Sequence, residues 1–333
     1  MDPTPAHLDP RRAAEIAARF AGARVVVLGD LMVDRFLWGS VSRISPEAPV
    51  PVVRVERESA ALGGAGNVAQ NVVALGGKAV PVGLHGEDEG GALLGRLFGE
   101  AGIEVRGLLP VAGRPTTIKT RIVAHHQHVV RFDHEDDGAP DAGVVQGLKS
   151  RALAALEGAS ALVISDYEKG ALSASLLEAV LPEAARRRLP VVVDPKPRLM
   201  PHYHPVTVIT PNAREAGEAS GTRPRTDADL EQAGRTLIER LGCPFLLITR
   251  GERGMLLLSA DGTSLAVPTR AREVFDVSGA GDTVVATLAL ALAAGATMPE
   301  AVVLSNLAAG VVVGKLGTAS LTRAELLEAC AQQ

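Results

Sequence analysis

The stretch Asp276-Val277-Ser278-Gly279-Ala280-Gly281-Asp282-Thr283 carries the densest chemical signal in the chain, and it runs into an apolar, alanine-rich segment from Val284 to Ala294. Small residues at Gly279, Ala280 and Gly281 let backbone N–H groups close on an anion, and the segment behind them reads as a helix with its N-terminus aimed at the same place. Asp282 falls on the first turn, where the helix dipole favours a carboxylate and keeps it ionised at neutral pH. A carboxylate base beside a nest of backbone donors suits phosphoryl transfer to a hydroxyl. The attacking oxygen gives up a proton while the phosphoryl oxygens carry charge. The residues alone leave a second reading open, in which Asp282 only caps a buried helix.

Further polar clusters each follow an apolar run: Ser165-Asp166-Tyr167 with Lys169-Gly170, Asp194-Pro195-Lys196, Thr210-Pro211-Asn212 with Glu215, and Thr249-Arg250-Gly251. If the runs are parallel strands, all the clusters lie along one rim; any one alone would pass for a turn or a cap. Asn212 and Glu215, three apart at a helix opening, face one spot and suit a hydrated Mg²⁺. The same spacing also makes a capping box. No Gly-x-x-x-x-Gly-Lys-Ser/Thr sequence occurs, so an ATP site here is not a P-loop. Gly64-Ala65-Gly66 with Ala69, and Glu87 or Asp88 further on, invites comparison with the dinucleotide fingerprint. Arg57 to Ala61 ahead of it is not the buried strand that fingerprint demands, which leaves a dehydrogenase as the weaker enzymatic alternative. In His125-His126-Gln127-His128, a strand would turn His125 away from His126 and His128, so these read as surface histidines rather than metal ligands.

Hydrophobic patterning supplies the elements that position these groups. A strand from Arg24 to Leu28 ends at Gly29-Asp30, which sets Asp30 and Asp34 beyond its carboxyl end. Gly63-Gly64-Ala65-Gly66-Asn67 leads into an apolar helix that stops at Gly76-Gly77. Strands follow at Lys78 to Leu84, Ala161 to Ser165, Pro190 to Asp194, Val206 to Thr210 and Phe245 to Thr249. Helices are expected at Asp88 to Ala101, Ser173 to Leu181, Asp227 to Leu241, Asp282 to Ala294 and Pro299 to Gly314. Gly254 to Ser259 and Ser264 to Pro268, joined across Asp261-Gly262, form a hairpin at the sheet edge. This alternation predicts an α/β fold: a doubly wound, mostly parallel sheet flanked by helices.

Two segments break the alternation, about 39–56 and 116–133. Pro46, Pro49 and Pro51 ahead of Val52, Val53 and Val55 confine the first to a sheet edge or a small separate sheet. Together the two read as a small β lid, and the apolar Val50, Val52, Val53 and Val55 predict a homodimer paired through it. Residues 1–22 read as a polar N-terminal extension in which Pro10 to Phe20 form a short amphipathic helix.

Of the 333 residues 47% are hydrophobic and only 3% aromatic, so the core is built from Ala, Val and Leu. A net charge of −4 with interspersed signs gives no footprint for nucleic acid or an acidic membrane surface. Cys243 and Cys330 make neither a disulfide framework nor a metal-ligand spacing, which fits a reducing cytoplasm. With no signal-peptide pattern and no apolar run of roughly 18 residues, a cytoplasmic location is expected.

The segment Asp276 to Thr283 resembles the C-terminal signature of the PfkB, or ribokinase-like, family of carbohydrate kinases, except that Thr287 stands where the pattern usually has Ala or Gly. Gly63-Gly64, Asn67, Ala69, Gly76 and Gly86 resemble its N-terminal signature. The likeness is strongest to the heptose 7-phosphate kinase branch. It rests on Gly29 to Arg35, Ser42 to Val53, Ser165-Asp166-Tyr167, Asp194-Pro195-Lys196 and Val313-Gly314-Lys315-Leu316-Gly317-Thr318. The resemblance implies a ribokinase-like kinase domain over 23–333.

Carried over position by position, it makes Asp282 the base and the N–H groups of Gly279, Ala280 and Gly281 the anion hole. Asn212 and Glu215 match the family's Asn-x-x-Glu motif near Mg²⁺ and the ATP phosphates. Thr249 and Gly251 would line the nucleotide channel, with Asn306 near the adenine. Asp34, Gly63, Gly64 and Asn67 match sugar-binding positions. Arg43, Lys119, Arg131, Lys169 and Lys196 are the cations expected to hold the acceptor's phosphate. The implied reaction is ATP-dependent phosphorylation of the anomeric hydroxyl of D-glycero-β-D-manno-heptose 7-phosphate to the 1,7-bisphosphate, on the way to the lipopolysaccharide core. A monovalent cation is left open as a further cofactor. Some members of this branch carry a nucleotidyltransferase domain with His-x-Gly-His; that motif is absent here, so a stand-alone kinase is expected. The alternatives are a related kinase for another sugar, sugar phosphate or nucleoside, and a catalytically silent sensor.

Overall fold

The structure is a computed structural model that describes residues 7–124, 127–269, 276–315, 317 and 319–332. Its strands are β1 (Arg24–Gly29), β2 (Leu31–Ile44), β3 (Pro51–Gly64), β4 (Lys78–Gly86), β5 (Leu108–Val111), β6 (Ile118–Ala124), β7 (Gln127–His134), β8 (Ala161–Ser165), β9 (Val191–Asp194), β10 (Val208–Ile209), β11 (Phe245–Thr249), β12 (Met255–Ser259) and β13 (Ser264–Val267). Its helices are α1 (Pro10–Ala18), α2 (Ala65–Ala74), α3 (Glu89–Glu100), α4 (Ala142–Ala155), α5 (Ala174–Arg186), α6 (Ala213–Ser220), α7 (Asp227–Leu241), α8 (Ala280–Ala293), α9 (Met298–Val312) and α10 (Arg323–Ala331).

The main sheet has nine strands in the order β13-β12-β11-β10-β9-β8-β1-β4-β5. From β11 to β5 every pairing is parallel, and the β12–β13 hairpin closes one edge antiparallel. Near-continuous runs such as Ala161-Leu162-Val163-Ile164 form its centre because helices cover both faces. Alternation along each strand splits the core in two. Val25, Val27, Val163 and Val192 face α2, α8 and α9, whereas Val26, Leu28, Ile164 and Val193 face α4, α5 and α7. From β1 the chain order runs outward through β4 on one side, and from β8 through β9, β10 and β11 on the other. The reversal lies between β1 and β8, and the crevice beyond their carboxyl ends is where such sheets bind ligands.

The second sheet, in the order β3-β2-β6-β7, is the lid. It is larger than the two segments that predicted it. β2 leaves the body one residue after β1 and pairs with β3 along its whole length, from Leu31 opposite Gly64 to Ile44 opposite Pro51. Pro46 and Pro49 sit in the connection, and Pro51 opens an edge strand, where its missing N–H is tolerated. The stretch 116–133 supplies two of its strands, with β6 parallel to β2 and antiparallel to β7. His125 and His126 lie outside the described residues, and His128 is exposed on β7.

Residues 10–22 are not a bare polar extension. Ile16, Ala17 and Phe20 are fully buried in the core, and Arg12 Nε donates to Glu300 Oε1 at 2.8 Å, which ties α1 to α9. Arg57 to Ala61 belong to β3 in the lid, so no parallel strand precedes Gly64 and the dinucleotide fingerprint lacks its framework. No helix among the described residues is long and apolar enough to cross a membrane.

Candidate active site

Gly279, at φ 79°, occupies a left-handed conformation that favours glycine, and α8 starts at the next residue. This helix is buried on every side from Asp282 to Ala291, so its opening is held rigidly. Thr287, the departure from the family pattern, is accommodated by donating to Thr283 O within the helix at 2.8 Å. A Cβ on Gly281 would meet nothing within 4 Å, because this residue faces open space. Ala280 N–H makes only a long contact with Val277 O, 3.3 Å.

Asp282 is not the cap of its helix; its side chain turns into the crevice and both oxygens are held. Oδ2 accepts from Asn67 Nδ2 at 2.7 Å and Oδ1 from the Tyr167 hydroxyl at 2.8 Å. Asn67 is itself fixed, since Asn71 Nδ2 donates to its carbonyl at 2.9 Å and Thr283 Oγ1 donates to Asn71 Oδ1 at 3.1 Å. Burial pushes the Asp282 carboxyl up to about 6, against the two donors, and nearby Asp34 adds to the rise while Lys196 opposes it. The dipole argument expected a carboxylate favoured by its helix and ionised at neutral pH; burial instead raises its pKa, a shift that argument did not include. The group is still mostly ionised at pH 7 and close enough to neutrality to take and return a proton.

Beyond β1, the buried carboxylate of Asp30 accepts the N–H groups of Tyr167 (2.8 Å), Lys169 (3.1 Å) and Ala171 (2.9 Å), which pins the loop after β8. Beneath this loop Asp166 accepts from the Tyr203 hydroxyl at 2.6 Å, and burial pushes its carboxyl up to about 6. Asp34 on β2 is buried and paired with Arg121. A Cβ on Gly63 would stand 2.6 Å from Asp34 Oδ2, and one on Gly64 the same distance from Asp30 O, so both glycines are demanded by close approach.

Asp194, Lys196, Thr210, Asn212, Glu215, Thr249 and Gly281 line a recess of about 140 Å³ beside Asp282. It adjoins, through Thr249 and Gly281, a cavity of about 510 Å³ walled by Gly251, Met255, Val284, Asn306, Ala309 and Val313. The slot is mostly apolar and the recess it leads to is polar, which is the polarity a ligand with a flat apolar end and a charged end requires. Asn306 donates to Pro268 O at 2.8 Å on the wall of that slot.

The capping box at Asn212 and Glu215 is formed, with Glu215 N–H on Asn212 Oδ1 (2.9 Å) and Asn212 N–H on Glu215 Oε2 (3.0 Å). Glu215 Oε1 accepts from Lys196 Nζ, which lies 5.7 Å from the centre of the Tyr167 ring. Burial works against the Lys196 ammonium, but Glu215 and Asp194 more than offset it and raise its pKa.

The expected phosphate-binding cations separate. Lys119 and Lys169 converge on Glu135 at 3.2 and 2.8 Å, and Lys119 also holds Asp133 at 3.1 Å. Arg131 is half-exposed beside the same Asp133. Lys196 belongs to the recess instead. Arg43, opposite Val52 near the lid tip, is roughly 30 Å along the strand from Asp34 and does not join the site within this chain. Two residues went unassigned in the sequence. Arg121 was legible in principle, because Lys119 and Arg121 alternate onto one lid face; Tyr167 immediately follows a strand-end acid. In the C-terminal motif Gly317 N–H donates to Asp276 Oδ2 at 3.1 Å, while Leu316 and Thr318 lie outside the described residues.

A doubly wound sheet whose switch point holds a buried carboxylate at a helix N-terminus, roofed by a β lid, defines a ribokinase-like enzyme. Known folds agree: an Arabidopsis thaliana ribokinase complexed with ribose and ATP superposes with a TM-score of 0.73 at 20% identity, covering 92% of this chain and 98% of that one. Phosphofructokinase-2 from Escherichia coli, in complex with potassium, gives 0.77 at 19% identity over 93% and 98%. The chain belongs to the pfkB family of carbohydrate kinases, whose family model matches residues 23–324. It is 46% identical over 334 residues to a bifunctional protein HldE of Rhodospirillum rubrum, and 48% identical over 321 residues to one of Caulobacter vibrioides. Those matches take in 100% and 96% of this chain but 66% and 65% of the relatives, so the chain spans just under two thirds of their length.

Proposed function

We propose that this carbohydrate kinase transfers the γ-phosphoryl group of ATP to the anomeric hydroxyl of D-glycero-β-D-manno-heptose 7-phosphate. The observation that carries the phosphoryl-transfer reading is the Asp282 carboxylate, held by two neutral donors between the polar recess and the lid. The acceptor is read from the motif resemblance, and the convergence of Lys119 from the lid and Lys169 from the loop after β8 supports a phosphate-bearing one.

Asp34, with Gly63 and Gly64 behind it, offers a carboxylate to sugar hydroxyls, and Asp282 takes the proton of the attacking hydroxyl. The opening of α8 at Gly279, Ala280 and Gly281 presents backbone donors to the phosphoryl oxygens. Thr249, Gly251 and Asn306 line the slot for the nucleotide. The recess suits a hydrated Mg²⁺ because its donors are hard oxygens: Asp194 lines it, and Asn212 and Glu215 reach it while engaged in their capping box, which favours contact through water. The metal, when bound, neutralises charge on the transferring phosphates. Monovalent-cation dependence is a further point for assay.

We read the protomer as half of a homodimer. Ile44, Val50, Val55 and Phe132 are 62%, 51%, 49% and 53% exposed, all on the lid, which is more apolar surface than a free sheet usually shows water. Buried free cysteines fit a cytoplasmic enzyme in the synthesis of activated heptose.

The test is ATP turnover against D-glycero-D-manno-heptose 7-phosphate, sedoheptulose 7-phosphate, fructose 6-phosphate, ribose and adenosine. Strong preference for the manno-heptose phosphate is expected. Preference for a phosphate-free acceptor overturns the substrate but keeps the kinase, and no turnover with any brings the silent-sensor reading forward.

A further inference from the structure

We propose that Tyr167 is a positioning residue for the base: its hydroxyl sets the aim and the proton affinity of Asp282. The inference rests on the assignment of Asp282 as base. A carboxylate in this crevice needs one oxygen turned to the acceptor hydroxyl, and its two fixed partners come from different elements. Asn67 approaches from α2 and Tyr167 from the loop after β8, at 2.7 and 2.8 Å. With one donor gone the carboxylate is free to rotate about its last bond.

Tyr167 is itself over-determined. Its N–H is bound by the buried Asp30, and the Lys196 ammonium lies over its ring. Burial, with the carboxylate of Asp282 alongside, pushes the phenol well above its ordinary value, so it remains a donor throughout the neutral range. A phenol donating to the charged form lowers the proton affinity of Asp282, and it does so without adding a charge. The titratable groups facing Asp282 are Asp34 from β2 and Lys196 and Asp194 from the end of β9, and none of them hydrogen-bonds to it among the described residues. The two neutral donors therefore make the fine adjustment.

The test is Tyr167→Phe in the whole chain, which keeps the ring and its contact with Lys196. The expected result is unchanged ATP affinity by calorimetry, a kcat lower by about 10-fold, and an acid limb of the kcat profile moved about one pH unit towards alkali. Because Asp166 also titrates at about 6, Tyr203→Phe serves as the control: it removes the matching donor from Asp166 and should leave the limb in place. A Tyr167→Phe enzyme with the parental kcat and limb overturns the proposal, and so does a limb that moves only in Tyr203→Phe. Asp282→Asn separates the two levels. If that variant still turns over, the base assignment itself is wrong; if it is inactive while Tyr167→Phe behaves as the parent, only the role of Tyr167 falls.

Discussion

The crevice floor and the lid solve opposite problems with opposite chemistry. On the floor, Asp282 is 4% exposed and held by an amide and a phenol, both uncharged and both anchored by further hydrogen bonds. On the lid, Lys119, Arg131, Asp133 and Glu135 sit in ion pairs whose side chains are 13–55% exposed. Buried neutral donors hold one geometry, because an unmade bond there costs the full desolvation of the group. Only Arg131 among these is half-exposed, and an ion pair that water reaches is screened and holds its geometry less strictly than a buried neutral hydrogen bond. The floor is thus fixed by neutral hydrogen bonds, and the lid by paired charges.

Substitutions can break that contrast, and the largest effect belongs on the floor. Asp282→Asn should cut turnover by at least about 10²-fold while ATP binding persists; near-parental turnover would relocate the base. The same change carries a pH signature. Folded-state values of about 6 for Asp282 and Asp166, against 3.8, mean that the folded chain holds extra protons between roughly pH 4 and 6. Stability therefore falls as pH rises through that window, and Asp282→Asn relieves its share. Urea midpoints should favour the variant at pH 7 and less so at pH 5; a gap independent of pH would show that desolvation of Asp282 is not the cause.

Next comes Gly63→Ala, whose Cβ would press on Asp34. It should raise the acceptor KM by about 10-fold and destabilise the fold by about 1–3 kcal/mol, with the ATP KM untouched. An unaffected acceptor KM would remove Asp34 from the sugar site. In the loop after β8, facing the lid carboxylates, Lys169→Ala should raise KM by about 10-fold for phosphate-bearing acceptors alone. An equal loss with phosphate-free sugars would make Lys169 a structural strut to Glu135 instead. Arg43→Ala is expected to change neither KM nor kcat by more than about two-fold, and a larger effect would bring the lid tip into a site.

Legibility in the sequence followed the same division. The helix Asp227–Leu241 and the strand Phe245–Thr249 were read to the residue, because Thr226 and Gly242 punctuate the helix and the strand is an unbroken apolar run. α4 and β5 went unread: only Leu148, Ala152 and Ala155 of α4 are buried, and β5 is a short piece containing Pro110. In the site, the anion turn and the rim clusters were visible because each is local in sequence. The pairing of Asp282 with Tyr167 spans 115 positions, and no local pattern announces it. The rise in the Asp282 pKa was missed for the same reason, since burial is a property of everything packed around the group.

One residue links the central strand of the body to the long hairpin of the lid. β1 ends at Gly29 and β2 begins at Leu31, so Asp30 is the whole connection, and its carbonyl also accepts Ala65 N–H at 3.0 Å where β3 returns. The long hairpin is in effect a lever of roughly 45 Å with both arms clamped at a single fulcrum. The same residue grips the loop that carries Tyr167, so the fulcrum of the lever stands two hydrogen bonds away from the Asp282 carboxylate.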